Sequence, residues 1–543
     1  MSAFPSVIGD GVTDDTAALQ AVLDAAQGKV LMFDVAATYK VGRLLFRSNS
    51  TVVMTPSVHF TKKLNANGTF YLSNISNCIV YANGATIDGH DVPGSTTYAH
   101  TVYVLGTTNC AIHYLNIDGS SNDGTKDALY IGKGTGRNQN LLIKGGSYNN
   151  AARNNISVVS ADNTRIEDLT VNGALFNPGC GIDVEANQYG EVSNTFITRV
   201  TASNNNNAGI LTSFGVGTVI DNCDAHNNGH YGFCSASGSG MIFADGVYRP
   251  NIDIIAISAI NIATGVLTVS ALPAIGTPVY VEAFAGTRPP ELPGSCLIVS
   301  RHVGANGVVL GRSVDHNEFV AFSNAGTGTL TSDPATSALR LLCLVDGQSN
   351  GGIVKNSRAT GNGEHALAVV NCGNFLADNN DFGSSGLANI VIANAYSVAI
   401  NNTRIVDGAK QGVSVGVGGG SLSITNCTMT DTLGRGISVS EWSDTFVDGN
   451  TLDNCGSAES SSAKASLHYV ECVRPVATNN RIMQDLSNTT TLFGIYAEVS
   501  VSGGTVSNND CTGAGTTNAN SISVSSGTNT VSNNKRRDGT LVP

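Results

Sequence analysis

The chain has 543 residues, 29 Lys+Arg against 41 Asp+Glu, a formal net charge of −12, and only 13% charged residues beside 41% hydrophobic ones. So many aliphatics with so few charges exclude a disordered chain, and the acidic balance makes nucleic acid an unfavourable partner. No apolar run reaches the roughly 18 residues of a membrane helix, and the wealth of Asn and Gly disfavours a helical protein, which leaves a large, turn-rich β protein.

The first element is a helix. The run Gly9-Asp10-Gly11-Val12-Thr13-Asp14-Asp15-Thr16-Ala17-Ala18-Leu19-Gln20 places Thr13 as N-cap and Asp14 and Asp15 in the first turn, where they favour the helix dipole. Ala18, Leu19, Val22, Leu23 and Ala26 share one apolar face, Gly28 stops the helix, and Val30-Leu31-Met32-Phe33 begins the first strand. Such a helix covers the open end of a solenoid, where strand edges and apolar side chains are otherwise bare. Met1-Ser2-Ala3-Phe4-Pro5 shows neither the basic nor the apolar region of a secretory signal.

From about Asn74 the chain recurs. Leu129, Ile156, Ile182, Ile210 and Phe233 open short apolar runs at steps of 27, 26, 28 and 23, and Leu367, Ile390, Val413 and Ile437 resume the beat at 23, 23 and 24. Each unit reads as two or three short strands joined by tight turns. No single unit can bury its own inward face, but stacked units can, each rung pairing with those above and below. Asn tolerates left-handed turns, so stacked turns place Asn above Asn in a ladder. Asn-Cys recurs at Asn77-Cys78, Asn109-Cys110, Asn222-Cys223, Asn371-Cys372, Asn426-Cys427 and Asn454-Cys455, which marks a repeated turn-to-strand junction. The expected fold is all-β, a right-handed parallel β-helix with an N-terminal capping helix and an inserted small β domain; a β-propeller needs longer units, of about 40 residues. The 12 Cys read as small buried residues of the rungs, since no C-x-x-C pair occurs.

The Gly9–Gln20 run, followed by a short strand and Thr38-Tyr39-Lys40-Val41, resembles the opening motif of the pectate-lyase-like superfamily of right-handed parallel β-helices. That superfamily takes in polygalacturonase-type hydrolases, pectate-lyase-type enzymes, alginate epimerases and phage tailspike depolymerases. The resemblance covers nearly the whole chain outside one insertion and implies a polysaccharide substrate without fixing the reaction. Phage tailspikes of this type imply a homotrimer, and a place in a virion tail or outside the cell.

The beat breaks between about Tyr248 and Val345. Ile252, Ile254, Ile255, Ile257, Ile260 and Ile262 crowd together, Pro273, Pro278, Pro289, Pro290 and Pro293 follow, and the Asn-rich turns vanish. Ala263-Thr264-Gly265-Val266-Leu267-Thr268 and the closing Gly326-Thr327-Gly328-Thr329 are similar to a β module of phage tail proteins; a spacer without ligand is the plainer reading. The expected division is 1–73 for the cap and first strands, 74–247 for the first part of the β-helix, 248–345 for the inserted domain and 346–543 for the second part and C-terminal end, in which 499–531 reads as final rungs before Lys535-Arg536-Arg537.

Chemistry belongs on outward positions of one sheet. In Gly181-Ile182-Asp183-Val184-Glu185, Ile182 and Val184 point inward, so Asp183 and Glu185 project from one outer face, with Cα atoms about 6.5–7 Å apart. Carboxyl pairs at roughly 6.5–9.5 Å suit inverting glycoside hydrolysis. The motif also looks like the Gly-Ile-Asp-Ile-Glu strand of many β-helix enzymes and tailspikes. Two solvated acids, or a calcium site, are the competing readings; no other cofactor is expected. Neighbouring rungs add Asp127 as a further acid and Tyr130, Arg153, Ser157, His230 and Tyr231 as substrate-binding candidates: Arg can hold a sugar carboxylate in bidentate fashion, and aromatic faces can stack on sugar rings. A lyase that removes the C5 proton of a uronic acid, with Arg153, His230 or Tyr231 serving, is the rival reaction, and a non-cutting adhesin the rival function. A second constellation, Glu441-Trp442-Ser443-Asp444 with His468, Tyr469 and Glu471, holds the only Trp, as a sugar platform or a subunit contact.

Overall fold

The computed structural model describes residues 7–63, 66–90, 99–119, 126–187, 191–213, 215–236, 352–370, 373–393, 395–416, 418–456, 464–484, 493–525 and 528–542, with a discontinuous set between 252 and 344. The chain forms two compact units, one of residues 1–235 with 352–367 and the other of residues 236–351 with 368–543. These bounds differ from the fourfold division expected from composition.

In the first unit the helix spans Thr16–Ala25, two residues later than its capping signal suggests. Thr13 lies instead in the strand Asp10–Asp14, which pairs with Ala37–Val41. Asp15 takes the N-cap position, but its buried carboxylate turns away from the helix and accepts from the backbone N–H groups of Ile8 and Gly9 at 2.8 and 3.0 Å. Asp14 receives the Thr16 N–H at 3.1 Å and pairs with Lys63 at 2.6 Å. The two acids therefore fasten the helix to its surroundings rather than load its first turn. Leu19, Leu23 and Ala26 are buried as the periodicity requires.

Two families of parallel strands follow in this unit. One contains Leu44–Leu45, Phe70–Ser73, Val102–Leu105, Leu129–Gly132, Ile156–Val158, Ile182–Glu185, Ala208–Ser213 and Tyr231–Ala236. The other contains longer runs such as Ala111–Asp118, Asn138–Asn149, Ala161–Glu167 and Val192–Thr198. Register is strict: Leu72, Val104, Ile131, Val158 and Val184 stack inward, while Tyr71, Tyr103, Tyr130, Ser157 and Asp183 stack on the opposite face.

One corner rule explains the Asn-Cys dipeptides. Asn77, Asn109, Asn222, Asn426 and Asn454 all have φ between 52° and 54°, and the cysteine after each is buried. Asn pays little for the left-handed region, and the turn it makes aims the next residue inward. Cys372 lies outside the described residues. Corners stack into ladders: Asn77 Nδ2 donates to Asn49 Oδ1 at 2.9 Å, Asn140 to Asn109 at 2.8 Å and Asn163 to Asn140 at 2.7 Å. A buried ladder runs Asn205, Asn228, Asn362 through amide bonds of 2.9 and 3.1 Å.

The second unit repeats this pattern. Ile390–Ala393, Val413–Val415, Ile437–Ser440, Ala465–Val470, Phe493–Ala497 and Ile522–Val524 belong to one parallel family, and Asn450, Asn480, Asn509 and Asn534 form a buried ladder with steps of 2.9, 2.9 and 2.8 Å. The unit also holds a seven-stranded antiparallel sheet drawn from residues 252–344, with Ile255, Ile257, Leu267, Val269, Val279, Val299, Val308, Leu310, Phe322 and Leu339 as its core. The final rungs include a short helix, Asn518–Ser521, that the sequence did not signal, and the chain closes in a hairpin of Asn534–Lys535 with Leu541–Val542. No helix among the described residues is long and apolar enough to cross a membrane.

Candidate functional site

The register brings Asp183 beside Ser157, and Ser157 beside Tyr130, on the outward face of three successive strands of the first unit. Outward is not exposed here: Asp183 is 2% exposed and Ser157 is fully buried. The turn that covers them carries Arg153 and Asn154. Asn154 Nδ2 donates to Asp183 Oδ2 and to Ser157 Oγ, each at 3.1 Å, and its backbone N–H donates to Asp127 Oδ1 at 3.0 Å. Among the described residues Asp183 Oδ1, which is buried, has no hydrogen-bond partner.

Arg153 is the hub. One terminal nitrogen lies 2.5 Å from both oxygens of Glu185, and the other donates to Asp127 Oδ2 at 3.2 Å. The Glu185 side chain keeps 24% of its surface exposed and that of Arg153 25%, whereas that of Asp127 keeps none. Glu185 therefore stands at the opening, with Asp127 behind the guanidinium and Asp183 beneath the turn. Three carboxyls share one Arg in a site largely shut from water. Burial, and then the charge of Glu185, pushes Asp183 well above the usual carboxylate range, against the pull of Arg153. Burial leaves Glu185 raised as well, with Arg153 in direct contact opposing the shift.

His100 was not foreseen as part of this site. Its Nδ1 lies 3.1 Å from Asp127 Oδ2, and its ring lies parallel to Tyr130 with centroids 4.3 Å apart. Tyr103 meets both rings edge-on and stacks on Tyr71 at 4.4 Å, with the Arg43 guanidinium 5.3 Å from the centre of the Tyr71 ring. The sequence did hold a signal: His100, Asp127 and Arg153 stand 27 and 26 residues apart, the same beat as Leu129 to Ile156 to Ile182, extended one rung towards the N-terminus.

His230 and Tyr231 are placed differently. His230 Nδ1 pairs with Glu364 Oε1 at 2.9 Å, and Tyr231 lies parallel to His365 at 5.9 Å. Among the described residues neither is bonded to Asp183, Glu185 or Arg153. Among the described residues, too, no group of three or more His, Cys, Asp or Glu is arranged to hold a metal ion; the cation between Glu185 and Asp127 is the protein's own Arg153.

The second constellation is dispersed. Trp442 is 1% exposed and Tyr469 fully buried, so neither is a platform or an edge contact. The cause is the corner rule: Glu441 has φ 55°, which turns Trp442 inward as Asn77 turns Cys78.

The family model for the right-handed β-helix region matches residues 301–455. Among solved structures, two tailspike protein mutants of E. coli bacteriophage HK620, each in complex with a pentasaccharide, align over 96% and 97% of this chain and 76% and 78% of theirs, both at 10% identity and a TM-score of 0.50. A mannuronan C-5 epimerase A-module of Azotobacter vinelandii aligns over 97% of both chains at 12% identity and a TM-score of 0.37. No curated protein matches the chain in sequence. The fold is thus that of the right-handed parallel β-helix proteins. Within them this chain is similar to the tailspikes.

Proposed function

We propose that the protein is a polysaccharide depolymerase, tailspike-like in action, that hydrolyses a glycosidic bond of a bacterial capsular or exopolysaccharide with Asp183 and Glu185. The observation that carries this reading is the unequal environment of the two acids. Burial pushes Asp183 well above the usual carboxylate range under the Arg153–Asn154 turn; it raises Glu185 too, but there the guanidinium in direct contact opposes the shift and the side chain faces solvent, so Glu185 is the acid that ionises first. Paired carboxyls driven apart in this way suit one acid and one base. In this reading the Arg153–Asn154 turn moves aside as the polysaccharide enters, Asp183 then gives its proton to the leaving oxygen, and Glu185, released by Arg153, takes a proton from the attacking water. Asp127, expected as a further catalytic acid, has a fully buried side chain between Arg153 and His100, and we assign it a positioning role. Tyr130 and His100 offer a ring surface to a sugar beside the acids.

Elimination at a uronic acid fits less well. Arg153 is already neutralised by Glu185 and Asp127, and burial raises the Tyr130 hydroxyl, which makes it a poorer base near neutrality. Incubation with acidic polysaccharides decides the matter: reducing ends without ultraviolet absorbance of an unsaturated uronate are expected. That absorbance would establish a lyase, and binding without any release of reducing ends an adhesin. The Cα spacing of about 6.5–7 Å along the strand permits inversion at the anomeric carbon, which needs carboxyls roughly 6.5–9.5 Å apart and is read by proton NMR of the first-formed product. The tailspike likeness supports a homotrimer, which sedimentation would show as a particle of three 55.9 kDa chains.

A further inference from the structure

The second unit holds an outward-facing cluster with no role in the site above. Ser438, His468, Tyr496 and Ser523 stand in register on four successive strands, so two rings rise between two small hydroxyls. His468 and Tyr496 lie parallel within 1° at 5.3 Å, and Phe493 lies on the other flank of Tyr496 at 4.5 Å and 12°. The imidazole is 2% exposed, and burial, followed by the charge of Arg435, drives its pKa down to about 3. It is neutral at any working pH and carries one N–H. Nε2 lies 3.0 Å from Glu498 Oε1 and, as donor, fixes that carboxyl; Nδ1 is then a buried acceptor without a partner among the described residues. The Glu498 side chain keeps 34% of its surface open. Arg435 reaches Ser438 Oγ by a long bond of 3.5 Å.

A half-buried aromatic pair beside one fixed, open carboxyl is the composition of a small-molecule site: apolar faces for contact area and a few set polar groups for orientation. Its open acid, Glu498, disfavours an anionic ligand. A pyranose ring suits it, with C–H groups against the open edges of the partly exposed Phe493 and Tyr496 and hydroxyls to donate to Glu498.

We propose that the second unit carries a non-catalytic glycan-binding site formed by Phe493, Tyr496 and Glu498, with His468 as the positioning residue behind them. The proposal rests on the reading of the protein as one that acts on polysaccharide.

The test uses the full chain carrying Asp183→Asn, which holds a polymer without cutting it, on an array of immobilised bacterial capsular polysaccharides and exopolysaccharides. Adding Tyr496→Ala or Glu498→Gln is expected to raise the half-saturating protein concentration about tenfold, and Tyr496→Phe, which keeps the ring, to leave it within about twofold. Glu498→Gln preserves shape and decides the question if Tyr496→Ala does not fold. Half-saturation unchanged by Glu498→Gln, or no binding of any arrayed polymer, overturns the proposal. Failure of the depolymerase reading is separate: the unmutated chain would then release no reducing ends, whatever the array shows.

Discussion

Asp183 couples chemistry to stability. Its proton is held more tightly in the folded chain than in the unfolded one, where the carboxyl titrates near 3.8. The group therefore contributes its full stability below that value and loses it progressively as pH rises towards the raised folded pKa. Asp183→Asn removes this loss. Calorimetry should show the variant melting above the unmutated protein at about pH 9, with the gap closing towards about pH 4; parallel melting curves would contradict the assignment. The same variant, and Glu185→Gln, should each lower kcat/KM by about 10²–10⁴-fold. Activity itself should fall on the alkaline side as Asp183 loses its proton and on the acid side as Glu185 gains one. The strand Ile182–Glu185 made both acids legible in the sequence, because alternation fixes the face on which they lie. Their burial was not legible, since the cover comes from Arg153 and Asn154, a rung away, and alternation says nothing about what lies above a face.

Among the elements, the corner is the most informative. Asn77, Asp168, Glu441 and Glu471 share a left-handed backbone, and Cys78, Leu169, Trp442 and Cys472 after them are all buried. The sequence displays this rule openly in its Asn-Cys pairs. It was hidden at Glu441-Trp442 because an acid stood where asparagine usually does, and that is why the only Trp was misplaced. The two kinds of ladder should differ in strength. Asn480→Ala removes the acceptor of the Asn450 N–H and side-chain amide and the donors to Val447 O and Asn509, all buried, and should cost about 3 kcal/mol in denaturant titration. Asn140→Ala, at an exposed corner with φ 54°, should cost about 1 kcal/mol, and Asn140→Gly almost nothing. Equal losses at both sites would mean that burial does not set the strength of a ladder.

At the scale of the whole molecule, every solenoid strand finds its partner through a parallel pairing more than 20 residues away, as Ile156 does with Ile182. Loop closure must precede each such contact, so refolding from denaturant should take about a second or longer; a millisecond phase that recovers all the native signal would argue against the pairing scheme. The repeat made this architecture readable from the beat of Leu129, Ile156 and Ile182 alone. The limits of the two units were not readable, because composition marks the stretch 248–345 while the packing joins it to residues 368–543. The buried ladders also set how the protein ages. Asn228 and Asn362 each precede a glycine, a pairing in which the side-chain amide is prone to hydrolysis, and Asn228 donates to Asn362 at 3.1 Å. Deamidation at either would replace a donor with an anion that can only accept, and the lesion would face the next rung's asparagine rather than water. Such damage would accumulate with storage time and heat as an acidic species that has lost stability in the first unit, a chemical clock written into the residues that hold the rungs in phase.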